Sequence, residues 1–167
     1  HEQLDILQKL EDTSGMASTL NYIGWLQLRT GRFYDSEEMF LQGLAYAEIA
    51  GMPYEKSDAL YGLVSVYGSL DDRDAQKEFL NRFLNETELD DVSRRHAIAY
   101  VILGDISREN TQFNEAIDQY NQSYKLAEKD ADSVLMALIV NRIAWTFYEQ
   151  GELKTSLEFY HKNLDIS

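Results

Sequence analysis

Cysteine is absent from the 167 residues, which excludes a disulfide framework, a thiolate-held zinc site, a thiol nucleophile and thioether attachment of haem. Chains without cysteine occur inside and outside cells, so cytoplasmic and extracytoplasmic placement both stay open. No run reaches the roughly eighteen uncharged apolar residues that a membrane-spanning helix needs. The first residues, HEQLDILQKLED, lack the basic start and apolar stretch of a signal peptide. Positive charge is also scarce. Fifteen bases stand against 29 acids, for a formal charge of −14, and the largest basic cluster is Arg94-Arg95. Nucleic acids are held by a phosphate-facing positive surface, so no direct binding of DNA or RNA is expected.

Reaction chemistry is missing as well. There is no glycine-rich phosphate loop, no calcium-loop spacing and no nucleophile elbow. His1, His96 and His161 are too scattered for a metal site. The acid pairs Glu37-Glu38, Asp71-Asp72 and Asp90-Asp91 fall at element starts or in loops, where they suit helix N-termini better than a catalytic dyad. The expectation is a chain with no catalytic residues, no cofactor and no metal, and not an enzyme.

What is present is helix, and it repeats. One proline and long glycine-free runs, with apolar residues three and four apart, read as all-α. At an offset of 40, Ile23-Gly24 falls on Leu63-Val64, Leu103-Gly104 and Ile143-Ala144. In the same register stand Ser36, Gln76, Ala116 and Ser156, then the large Phe40, Leu80, Tyr120 and Tyr160. Gly31, Asp71, Thr111 and Gly151 share a turn position. Each unit holds an A helix (about 16–29, 55–69, 93–109 and 132–149) and a B helix (about 33–49, 73–86, 113–129 and 153–166). Links of about three residues force antiparallel neighbours. Gly31 and Gly151 suit a left-handed helix end, whereas Asp71 and Thr111 suit it less well. Gly51-Met52-Pro53 breaks the first unit from the second, and Asp90 or Asp91 is expected to cap the third A helix. Gly24, Gly104 and Ala144 give room for a partner B helix, so a large side chain at Gly104 should cost about 1–3 kcal/mol. Val64 and Gln76 are bulkier and predict less regular packing in the second unit.

These positions resemble the tetratricopeptide repeat family, in a longer form with forty residues per unit rather than about thirty-four. This long form resembles repeats in bacterial regulators and signalling proteins. The resemblance implies an α-α superhelix of four helix pairs plus an N-terminal helix. One domain, 1–167, would hold a leading helix (1–14) and repeats near 15–52, 53–91, 92–131 and 132–167. It also implies a protein- or peptide-binding scaffold whose A helices line a groove, serving as the interaction or sensing part of a larger regulatory protein. Groove positions then fall on Asn21, Tyr22, Trp25, Leu28 and Arg29, and on Tyr61, Gly62, Ser65 and Ser69. The later units contribute Val101, Ile102, Asp105, Arg108 and Glu109, then Asn141, Arg142, Trp145, Tyr148 and Glu149. The two tryptophans share one repeat position, 120 residues apart. With Ile23, Leu26, Ile143 and Phe147 filling the neighbouring core positions, both indoles are expected to face the groove. No lysine occupies a groove position, which argues against a clamped terminal carboxylate.

At an offset of 160, HEQLDIL falls on HKNLDIS, so residues 1–12 keep the phase of a B helix. This pattern suggests a piece of a longer array. The alternative function is therefore structural, with self-association or intramolecular contact, including a homo-oligomer by end-to-end stacking.

Overall fold

The computed structural model describes residues 13–87 and 89–166. Within them lie eight α-helices: α1 (Thr13–Arg29), α2 (Phe33–Ala50), α3 (Pro53–Ser69), α4 (Arg73–Glu86), α5 (Leu89–Glu109), α6 (Phe113–Lys129), α7 (Ser133–Glu149) and α8 (Leu153–Ile166). The leading helix expected over 1–14 lies outside the described residues, apart from the two that open α1. Two compact units meet in sequence at Glu88 and Leu89. In the first, α1 packs on α2, α2 on α3 and α3 on α4; in the second, α5 packs on α6, α6 on α7 and α7 on α8. Consecutive pairing of this kind is what a helical repeat produces.

The turns show that the period of forty is built from two halves. Positive φ angles occur at Gly31, Gly51, Asp71, Thr111, Ala131 and Gly151, which are spaced by twenty or forty residues. At each of these turns the next residue donates its backbone N–H five positions back: Arg32 to Gln27, Met52 to Ala47, Asp72 to Tyr67, Gln112 to Ser107, Asp132 to Ala127 and Glu152 to Phe147, all at 2.8–3.0 Å. This six-to-one bond closes a helix end with one left-handed residue. Four A-to-B links and two B-to-A links therefore share one geometry, and Asp71 and Thr111 adopt it despite their side chains, whereas α4 ends at Thr87 in extended backbone. Asp72 and Asp132 then cap the following helices, accepting from Ala75 N–H at 3.1 Å and Leu135 N–H at 3.0 Å. Asp132 is held below the usual carboxylate range, first by that backbone N–H and then by Arg94. The third A helix breaks the expectation. It starts at Leu89, so Asp90 and Asp91 lie inside it rather than at its cap.

Close approach explains the small residues. A methyl group on Gly104 would overlap the ring of Tyr120, which is fully buried. Ser36 Oγ donates to the Gly24 carbonyl, and Ser156 Oγ to the Ala144 carbonyl, both at 2.8 Å across twelve residues. In the second pair Gln76 Nε2 makes the equivalent bond to Val64 O at 3.3 Å. The longer side chain fits because Gly68 has no Cβ; one there would come within 2.5 Å of Gln76 Nε2. The irregularity expected at Val64 and Gln76 is thus absorbed by a second glycine one turn further along α3.

Candidate functional site

In the first unit, α1 and α3 lie side by side and decide which predicted groove residues reach the surface. Asn21 does not. It is only 3 % exposed, its Nδ2 donates to Glu55 O at 2.8 Å, and its Oδ1 occupies the space that a Cβ on Gly43 would need. Trp25 is half-buried: its indole N–H donates to Asp58 Oδ2 at 2.9 Å, and its ring meets Phe40 edge-on at 5.1 Å. Leu26, expected in the core, is 49 % exposed instead. The reason is geometric. The arrival of α3 selects the stripe of α1 that carries Asn21 and Trp25, and Leu26, one residue on, is turned away from that stripe.

Tyr22 is 70 % exposed and Arg29 is exposed. Tyr61 is half-buried between Trp25 at 6.3 Å and Phe83 at 5.4 Å. Ser65 returns its hydroxyl to Tyr61 O at 3.0 Å, and Gly62 is buried. Tyr22 and Trp25 line a cleft of about 200 Å³ with Ser18, Tyr54, Glu55 and Asp58. The last four were not among the sequence expectations. Ser18 and Asp58 share one repeat register with Leu138, three residues ahead of Asn21, Tyr61 and Asn141, whereas Tyr54 and Glu55 lie outside that register in the first turn of α3.

The second unit brings its predicted residues together across α5, α6 and α7. Asp105 accepts the Tyr120 hydroxyl at 2.7 Å and stands 3.4 Å from Arg142 Nε. Burial, and then the Asp105 carboxylate, push the Tyr120 phenol well above its usual range. Arg108 Nη1 reaches both Glu149 oxygens, at 3.0 and 2.9 Å. Burial disfavours the guanidinium charge, but Glu149 and Tyr120 together outweigh it and raise its pKa. Glu149 also accepts the Trp145 indole N–H at 2.9 Å. Trp145 and Tyr148 are 47 % and 52 % exposed, with ring centroids 5.3 Å apart. Asn141 is exposed, whereas Val101 is buried. A cleft of about 460 Å³ is lined by Leu138, Asn141, Arg142, Trp145 and Tyr160.

The arrangement places aromatic rings and amides beside paired charges. Among the described residues, no three metal-ligating side chains converge, and no helix is long and apolar enough to cross a membrane. His96 is buried on α5 and His161 exposed on α8.

A model of the tetratricopeptide repeat family matches residues 97–130. That segment takes in most of α5, the Thr111 turn and all of α6, one helix pair of the four. No curated protein matches the chain. The chain thus contains a tetratricopeptide-like repeat region inside an all-helical repeat architecture.

Proposed function

We propose that this chain is a protein- or peptide-binding scaffold built from the long form of the tetratricopeptide-like repeat. It serves as the interaction or sensing part of a larger regulatory protein, with the recognition surface on the A helices α1, α3, α5 and α7. The observation that carries this reading is the pair Trp145 and Tyr148, large aromatics left half open on α7 beside Asn141 and Arg142. Aromatic and arginine side chains of this kind dominate the energetics of protein interfaces. Tyr22, Trp25 and Tyr54 give the first unit a smaller surface of the same type. A second reading, structural contact with a neighbouring segment or copy, is favoured by Leu153, Leu157 and Leu164, all more than half exposed on α8.

A peptide array tests the choice of surface. The triple variant Tyr22→Ser, Trp145→Ala, Tyr148→Ser should lose the spots that the parent chain binds. The control Tyr34→Ser, Ile49→Ser, at two of the most exposed apolar positions of α2, should keep them. Retention by the triple variant, or loss by the control alone, would overturn the assignment to the A helices.

A further inference from the structure

The molecule contains two cases of one A helix receiving another, with different chemistry. In the first unit the receiver α1 offers donors. Ser18 Oγ, Asn21 Nδ2 and Trp25 Nε1 bond Glu55 Oε1, Glu55 O and Asp58 Oδ2 of α3, at 3.0, 2.8 and 2.9 Å. Below them the Phe40 ring fills the space over Gly62, where a Cβ would overlap it. In the second unit the receiver α5 offers Ile98, Val101 and Asp105 at the corresponding places. The helix received, α7, brings Leu135 into the same core cluster as Val101, and Arg142 to within 3.4 Å of Asp105. In the first unit donors receive two carboxylates and a backbone carbonyl; in the second Asp105 receives Arg142, which stands at the register of Gly62.

The face formed by α7 and α8 repeats the first receiver. At an offset of 120 residues, Asn141 falls on Asn21, Trp145 on Trp25 and Tyr160 on Phe40. These three, with Leu138 and Arg142, line the cleft of about 460 Å³. Resting on the reading of the A helices as the recognition surface, we propose that this face binds an amphipathic helix of a partner protein carrying a carboxylate four residues before a glycine, as Asp58 precedes Gly62. Asn141 donates to a backbone carbonyl three residues ahead of that carboxylate. The Trp145 indole N–H turns from Glu149 to the incoming carboxylate, and Glu149 keeps its two bonds to Arg108. The glycine lies over the Tyr160 ring. Arg142 stands where Tyr22 lines the first cleft with Glu55 and Asp58, and so adds attraction for acids. The A helices of a second copy fit poorly. At the Asp58 and Gly62 positions α1 has Ser18 and Tyr22, α5 has Ile98 and Ile102, and α7 has Leu138 and Arg142. Among the A helices only α3 carries the pattern at these positions, and it is already held by α1 and α2.

The probe is a synthetic peptide of residues 53–70, PYEKSDALYGLVSVYGSL, titrated into the full chain and followed by the two tryptophan indole N–H signals in ¹H–¹⁵N spectra. Trp145→Phe, at an exposed position, assigns them. The Trp145 signal should move and saturate while the Trp25 signal stays, because α3 remains on α1. Peptides with Asp58→Lys or Gly62→Leu should bind about tenfold more weakly or less, and Leu138→Glu in the chain should abolish the shift. An unmoved Trp145 signal, or equal binding by all three peptides, would overturn the proposal. So would a dimer of the chain alone that Leu138→Glu dissociates, because the occupant would then be a second copy. If the peptide fails while array binding persists, helix docking alone is refuted; if both fail, the broader reading falls with it.

Discussion

Replacing Gly104 by alanine puts a methyl group where the Tyr120 ring already is. The added carbon would overlap Cε1 and Cδ1 of that ring and stand 2.9 Å from Cζ, against an ordinary carbon contact of about 3.5–4.0 Å. The ring cannot simply slide away. Tyr120 is fully buried, and its hydroxyl is fixed to Asp105 at 2.7 Å. Overpacking costs about 1–3 kcal/mol, and loosening the hydroxyl bond adds about 1 kcal/mol. Alanine returns about 1 kcal/mol through helix propensity. The net loss should be about 1–3 kcal/mol, or a fall in the thermal midpoint of roughly 3–10 °C, followed by circular dichroism with a parallel urea titration. Gly104→Leu should cost more. Gly24→Ala is the internal comparison. Its nearest ring atoms, in Phe40, stand at 3.0 Å and carry no hydroxyl to anchor them, so a shift of a few tenths of an ångström suffices. Adding Tyr120→Leu to Gly104→Ala should cost less than the sum of the two single changes. A midpoint for Gly104→Ala equal to that of the parent, or a larger loss for Gly24→Ala, would refute the reasoning.

Three further outcomes follow from the same packing. Thr111 holds φ at +60°, a conformation that β-branched residues rarely adopt, so Thr111→Gly should leave stability unchanged or raise it by up to about 1 kcal/mol in urea unfolding. Ser36→Ala and Ser156→Ala each remove a buried bond to a helix carbonyl and should each cost about 1 kcal/mol, again read in urea. Tyr67 and Tyr120 have phenol pKa values raised above the ordinary 10.0, first by burial and then by Glu37 and Asp105 respectively. A raised folded pKa gives stability that is complete below pH 10 and lost as pH rises toward the folded value. Absorbance at alkaline pH should therefore show these two of the 11 tyrosines ionising late, or together with unfolding, and Tyr67→Phe and Tyr120→Phe should remove the late step.

The helices were legible because the chain writes the same helix pair four times. Repetition averages out weak local signals, and the expected A and B bounds lie within a few residues of those observed. The half-period of twenty was hidden, because Ala131 does not resemble Gly51, whose conformation it shares. The start of α5 was misread for a related reason: an acidic pair looks like a cap, but the helix runs on ahead of it. The surface was harder to read. Periodicity says which residues share a stripe, but not which neighbouring helix covers it. Asn21 and Asn141 are identical in type and register, yet one is buried under α3 and the other is exposed. The tryptophans differ in the same way. What a sequence cannot give here is the second shell of packing, and that shell decides which aromatics remain available for a partner.

The most direct measurement is therefore a binding footprint. Backbone ¹H–¹⁵N spectra of the full chain, recorded during titration with the strongest array peptide, should show saturable shifts concentrated in residues 13–29, 53–69, 89–109 and 133–149, with α2, α4 and α6 nearly silent and α8 responding only around Tyr160. Shifts concentrated instead in α2, α4, α6 and α8 would contradict a recognition surface on the A helices.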